Sequence, residues 1–149
     1  MQLFWMGRNF QKLYEIMITE DYVSFETSKL LKEKGFDWMC NGYYNKDDED
    51  SEPYFGDGEG ADNWNEQASS VRDFWFSAPT LQMAMKWLRE VHKIIITIDY
   101  NDDSDCEDNE RYGFSVDCTS CKGVDLATYA TYEEACEEAI KHCLKYLIQ

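Results

Sequence analysis

The sequence predicts an α+β fold, a mixed sheet of four to five strands with helices mainly on one face, in the order α-β-β-α-β-β-α. Three observations carry that prediction. Two segments repeat apolar residues at helical spacing, Leu81, Ala84, Met85, Leu88 and Val91 in the first and Ala135, Cys136, Ala139, Ile140, Cys143 and Leu144 in the second. Between them lie an almost purely β-branched run at 94–98 and an alternating one at 111–118. A composition 44% hydrophobic and 15% aromatic over 149 residues suits one folded core and excludes a disordered chain.

Phe10, Leu13, Tyr14 and Met17 recur at helical spacing, which predicts a short amphipathic helix at 9–18. The compact pattern starts at Met17, so residues 1–16 are expected to be an extension and 17–149 a single acidic domain. Ser24 is placed to cap a helix at 25–34 that buries Phe25, Leu30 and Leu31, stops at a left-handed Gly35 and closes on Phe36. Aromatic enrichment predicts strands at 37–45 and 71–76, and the Ser77-Ala78-Pro79-Thr80 run opens a helix to His92. Met83 and Trp87 form a second apolar stripe on that helix, expected to pack within the domain. Ile94, Ile95, Ile96, Thr97 and Ile98 predict a strand covered on both faces, at the centre of the sheet. Tyr112, Phe114 and Val116 predict a half-buried strand at 111–118, followed by a short one at 124–129.

Thr131 and Glu134 form a capping box for the last helix, whose stripe from Tyr132 through Ala139 to Leu147 is expected to be buried. Its outer face begins with Glu133, Glu134, Glu137 and Glu138 and ends with Lys141, His142 and Lys145. That order suits the helix dipole and offers Glu137 to Lys141 as an i,i+4 pair.

Half of the acidic residues fall in two short tracts. The first holds Asp47, Asp48, Glu49, Asp50, Glu52, Asp57, Glu59 and Asp62; the second holds Asp99, Asp102, Asp103, Asp105, Glu107, Asp108 and Glu110, and neither contains Lys or Arg. Like charges held together destabilise the compact state unless a cation compensates them. With a right-handed crossover to a parallel neighbour over 77–93, the two tracts would lie at opposite ends of the sheet. The net charge of −16 repels nucleic acid phosphates and anionic membrane surfaces, so the expected partner is a basic protein, with no direct nucleic acid and no membrane. The first ten residues lack a basic segment and a sustained apolar one, and six cysteines without an export signal point to the cytoplasm with free thiols.

The stretches YVSFETSKLLKEKGF at 22–36, SAPTLQMAMKWLREVH at 77–92 and YATYEEA at 129–135 resemble a family of small uncharacterised proteins of gut bacteria, their phages and mobile elements. The resemblance covers 17–149 and implies a phage or mobile-element setting, in which small acidic proteins occupy host machinery. It implies no activity, and the acidic tracts here are longer than in that family.

Those observations lead to an expected function: a non-catalytic acidic protein that docks on a basic host protein, as an inhibitor of a host or defence factor. The residues expected to carry docking are Asp47, Asp48, Glu49, Asp50, Asp57, Glu59, Asp102, Asp103, Asp105 and Asp108, with Tyr54, Phe55 and Trp64 as aromatic anchors among the acids. The alternative is a small-molecule or metal-binding module with the loop at 54–64 as a lid. Calcium and zinc are the metals to weigh, and no cofactor is expected. Neither tract fits an EF-hand loop, since from Asp48 the sixth residue is Pro53 and from Asp103 the twelfth is Phe114. Cys118 and Cys121 have the spacing of one zinc knuckle, but no second pair matches it, and two buried thiols on a turn is the favoured reading. His92 and His142, the only histidines, each sit near a helix C-terminus, where a cation is favoured for structural reasons. No phosphate-cradling loop or nucleophile turn accompanies them, so no enzyme is expected.

Overall fold

Ser24 is extended and its hydroxyl accepts the N–H of Thr27, which starts helix α1, Phe25–Glu33. The helix ends as its sequence predicts. Gly35 takes φ 82°, a left-handed value that a Cβ would strain, and Phe36 N–H returns to Leu31 O at 2.9 Å while its ring is buried. Thr80 caps α2, Leu81–Val91, by accepting from Met83 N–H at 3.2 Å. Pro79 therefore precedes the cap and lies outside the first turn. Thr131 likewise caps α3, Tyr132–His142, which continues into a π-helical turn, Cys143–Leu147.

The computed structural model describes residues 20–47, 52–55, 60–66, 74–119, 121–124 and 127–149; the expected helix at 9–18 and extension at 1–16 lie outside them. The strands are β1 (Gly42–Asn45), β2 (Tyr54–Phe55), β3 (Trp75–Ala78), β4 (Ile95–Tyr100), β5 (Tyr112–Cys118) and β6 (Cys121–Val124).

The α+β class holds, and its strands divide into two three-stranded sheets, ordered β2-β1-β3 and β4-β5-β6. Every pairing among the described residues is antiparallel, so α2 carries the chain from one sheet to the other and makes no parallel crossover among them. The strand expected at 124–129 lies earlier in the chain: β6 ends at Val124, residues 125–126 lie outside the described residues, and Tyr129 makes a single bridge to Tyr112.

One core unites the helices with the second sheet. Leu31 and Phe36 from around α1, Leu81, Ala84, Trp87 and Leu88 from α2, and the stripe Cys136, Ala139, Ile140, Cys143 and Leu144 meet Phe114 and Val116 of β5. Trp87 is buried with its ring 5.4 Å from Phe36, so the second stripe of α2 packs inward as expected. A smaller cluster joins Phe25 of α1 to Tyr44, Ala78 and Phe76 of the first sheet.

Three expectations are corrected. Ile95–Tyr100 is the edge of its sheet rather than its centre: Ile96 and Ile98 face the core, while Ile95, Thr97 and Asp99 face solvent. The β-branched run reflects strand propensity, not cover on both faces. Tyr132 leaves the buried stripe of α3 and stands partly exposed, its hydroxyl accepting from Gln82 Nε2 at 3.3 Å. Lys141 pairs with Glu138 at 3.1 Å and Glu26 at 3.2 Å, not with Glu137, because Glu137 turns toward α1.

Candidate functional site

Between the start of α1, the first sheet and α3 lies a cleft of about 620 Å³. Six carboxylates line it: Asp21, Glu52, Glu133, Glu134, Glu137 and Glu138. Tyr22, Tyr44 and Tyr129 supply its aromatic walls, and among the described residues no Lys or Arg takes part in the lining.

Local structure sets the state of each carboxylate. Glu134 sits in the first turn of α3 and its Oε2 accepts the N–H of Ala130 at 3.1 Å, while its own N–H goes to Thr131 Oγ1. Glu138 is engaged by Lys141. Glu137 Oε1 accepts from the Ser24 N–H at 3.1 Å and from the hydroxyls of Ser24 and Thr27. Its second oxygen, Oε2, is buried and has no hydrogen-bond partner among the described residues. Asp21, Glu52 and Glu133 are exposed and form no ion pair among the described residues.

The tyrosines are held from behind. Tyr44 donates its hydroxyl proton to Val23 O at 2.9 Å, and burial pushes that hydroxyl up to about 12, with the charges of Glu52 and Glu137 adding to the effect. Burial also raises Tyr22, with Glu20 contributing, and its ring meets Phe55 edge-on at 5.1 Å. Neither phenol ionises near neutral pH. The cleft presents neutral aromatic rings and negative carboxylates, a combination that attracts an ammonium or guanidinium by charge and by the ring faces together.

The second tract adjoins this cleft. Tyr129 of the cleft pairs through its backbone with Tyr112, at 3.0 and 2.8 Å, and the neighbouring hollow is lined by Asp99, Glu110, Tyr112, Ala127 and Thr128. Glu52 of the first tract lines the cleft together with Tyr129, and Asp99 and Glu110 of the second line the hollow together with Ala127 and Thr128. The parallel crossover that would have separated the tracts is absent from the pairings.

Of the residues expected to dock, Asp47, Asp102, Asp103, Asp105 and Asp108 are exposed. Asp48, Glu49, Asp50, Asp57 and Glu59 lie outside the described residues. Arg111, just beyond the second tract, supplies the compensating cation: Nη1 donates to Asp103 O at 2.8 Å and Asn101 O at 3.3 Å, and Nη2 to Asp108 Oδ1 at 3.3 Å. Tyr54 and Phe55 are 44% and 53% exposed, as contact residues must be. Trp64 is committed to the fold, stacked on Tyr43 at 4.3 Å with its indole N–H on Cys40 O at 2.8 Å.

Cys118 is disulfide-bonded, not a free thiol, and its backbone pairs with Cys121 across the turn between β5 and β6. In that form its sulfur offers a metal no thiolate. No group of three or more His, Cys, Asp or Glu among the described residues is arranged to hold a metal ion. Burial pushes the thiols of Cys40 and Cys136 up to about 11 and that of Cys143 up to about 12, so all three stay protonated at neutral pH.

Sequence reasoning passed over Asp21, Glu133, Glu134, Glu137 and Glu138 because the helical acids satisfied the dipole rule. The available signal was their number: four glutamates in two turns exceed what a helix N-terminus needs.

No family model matches this chain, and no curated protein or solved structure is similar to it. No helix among the described residues is long and apolar enough to cross a membrane.

Proposed function

We propose that this chain is a non-catalytic acidic binding protein of the cytoplasm that docks on a basic host protein, in the phage or mobile-element setting its sequence resemblance implies, and so occupies a surface that the host protein uses. The cleft receives a lysine or arginine side chain of that partner, and the exposed acids around it steer the encounter. The observation that carries this reading is the convergence of six carboxylates and three tyrosines, among the described residues without a cation in the lining and with Glu137 Oε2 left without a hydrogen-bond partner.

The physical argument has two parts. Clustered carboxylates in a concave site focus the field and raise the rate of encounter with a cationic surface. An N–H donor reaching Glu137 Oε2 would satisfy a buried acceptor that otherwise carries its desolvation cost. Tyr54 and Phe55 add exposed aromatic area beside Tyr22, of the kind that anchors interfaces.

A second reading, a small organic cation held in the same cleft, draws on its volume, which falls within the usual range of ligand pockets. The test is capture from host lysate at about 50 mM and about 300 mM salt, since screening acts hardest on exposed charge pairs. A basic protein retained at low salt and released at high salt supports the docking reading. A co-purifying small cation with no protein partner supports the second.

A further inference from the structure

We propose that the outer edge of β4 takes up an extended basic segment of the partner, which joins the second sheet as an added strand. This inference rests on the reading that the partner is basic, and it specifies the form in which that partner is recognised.

β4 is outermost in the order β4-β5-β6, and among the described residues nothing pairs with its other side. In an antiparallel pair every second residue turns its N–H and C=O away from the neighbour, so an edge strand offers a row of unused donors and acceptors. Edges are ordinarily guarded by a bulge, a proline or an edge lysine. β4 has none of these. Its register with β5 is continuous from Ile95 opposite Asp117 to Tyr100 opposite Tyr112, and its sequence IITIDY contains no Pro, Gly or Lys. Ile95 and Tyr100 at its two ends are 50% and 59% exposed.

Charge selects the occupant. The solvent face of this edge carries Asp99, and the chain leaves β4 directly into the exposed Asp102, Asp103 and Asp105. The cations nearest in sequence are committed: Lys93 Nζ donates to Glu90 O at 2.7 Å, and Arg111 braces the acidic loop. A second copy of this chain brings a net charge of −16 to the same edge and is repelled. A strand alternating basic and apolar side chains satisfies the backbone groups, covers Ile95 and places cations beside Asp99 and the acidic loop.

The test uses the full chain and an eight-residue peptide alternating lysine and valine, compared with the same peptide N-methylated at every second amide. Affinity and amide hydrogen exchange at 95–100 are read together. The expected result is that N-methylation weakens binding about tenfold, the scale of one or two lost net hydrogen bonds, and that only the unmodified peptide slows exchange along β4. Ile95→Lys, at a half-exposed position, should weaken the unmodified peptide while leaving the unfolding midpoint in place. Equal affinity for the two peptides, with spectral changes confined to Tyr22 and Glu133, would overturn strand addition and leave the cleft reading standing. Slow exchange of the β4 edge in the free chain also overturns it: with self-association the occupant is a second copy, and in a monomer it is a segment of the same chain. Binding of neither peptide overturns both this inference and the basic-partner reading.

Discussion

Glu137 of α3 closes the N-terminus of α1, where its Oε1 accepts the Ser24 N–H at 3.1 Å together with the hydroxyls of Ser24 and Thr27. The positive end of α1 favours a carboxylate there, and the bond spans 113 residues of sequence. One side chain thus ties two helices together and forms the floor of the acidic cleft.

Glu137→Ala leaves the Thr27 hydroxyl, in a fully buried residue, without its acceptor. The expected loss is about 2 kcal/mol, with Glu137→Gln losing less, since the amide oxygen still accepts. Urea denaturation checks this. Equal stability of Glu137→Ala and the parent chain would mean that the link contributes nothing.

Asn65 bridges the 3₁₀ turn Trp64–Glu66 to two distant segments: Nδ2 donates to Phe36 O at 2.9 Å, and Oδ1 accepts the Ser77 N–H at 2.9 Å. Both backbone groups belong to buried residues. Asn65→Ala should cost about 2 kcal/mol by leaving them unpaired. Asn65→Asp keeps the acceptor for Ser77 N–H but sets a carboxylate oxygen against Phe36 O at a buried site, and should cost at least as much in the same denaturation measurement.

Burial lowers the affinity of His92 for a proton, and its Nε2 is buried without a hydrogen-bond partner among the described residues, with the ring centroid 4.5 Å from that of Trp87. The unfolded chain binds this proton more readily than the folded one. Its contribution is therefore fully present above the ordinary value of 6.5 and is lost as pH falls from there through the lowered folded value. His92→Phe should flatten the loss of stability between about pH 7 and pH 5, above the range where most carboxylates titrate. Thermal unfolding midpoints across that range give the comparison, and identical slopes for the two proteins would contradict it.

Arg111→Ala removes the bonds to Asn101 O, Asp103 O and Asp108 that hold the second acidic tract. Because the tract is exposed, the global stability change should stay within about 1 kcal/mol. Amide exchange at 101–110 should accelerate strongly while exchange in α3 is unchanged. Unaltered exchange in the tract would show that its Asx turns at Asn101 and Asp103 suffice to order it.

Local signals were legible in the sequence and long-range ones were not. Ser24, Gly35 and Thr131 mark helix ends through bonds made within a few residues, and each stands at the boundary its chemistry predicts, whereas α2 is capped by Thr80, after the proline expected in its first turn. The buried stripe of α3 follows from periodicity alone. By contrast, the edge position of β4 depends on which strands find each other, and nothing within IITIDY distinguishes an edge from a centre. The cleft was hidden for the same reason. Asp21, Glu52 and Glu133 are far apart in sequence, and tertiary packing of α1, α3 and the first sheet brings them together. Exposed tract acids such as Asp103 and Asp108 were recognisable, but the cation that braces them, Arg111, lay one residue beyond the tract.

The most direct test of the cleft compares two triple charge reversals that alter net charge equally, for binding of the basic protein captured from lysate. One carries Asp21→Lys, Glu52→Lys and Glu133→Lys, which reverse cleft acids that make no ion pair among the described residues; the other carries Glu33→Lys, Asp37→Lys and Glu66→Lys, exposed acids outside the cleft lining. Docking through the cleft predicts that the first loses about a hundredfold in affinity at physiological salt, roughly 1 kcal/mol per lost charge contact, while the second stays within about threefold of the parent. Equal losses in the two variants would contradict it, since binding would then follow the net charge of the chain and not the cleft.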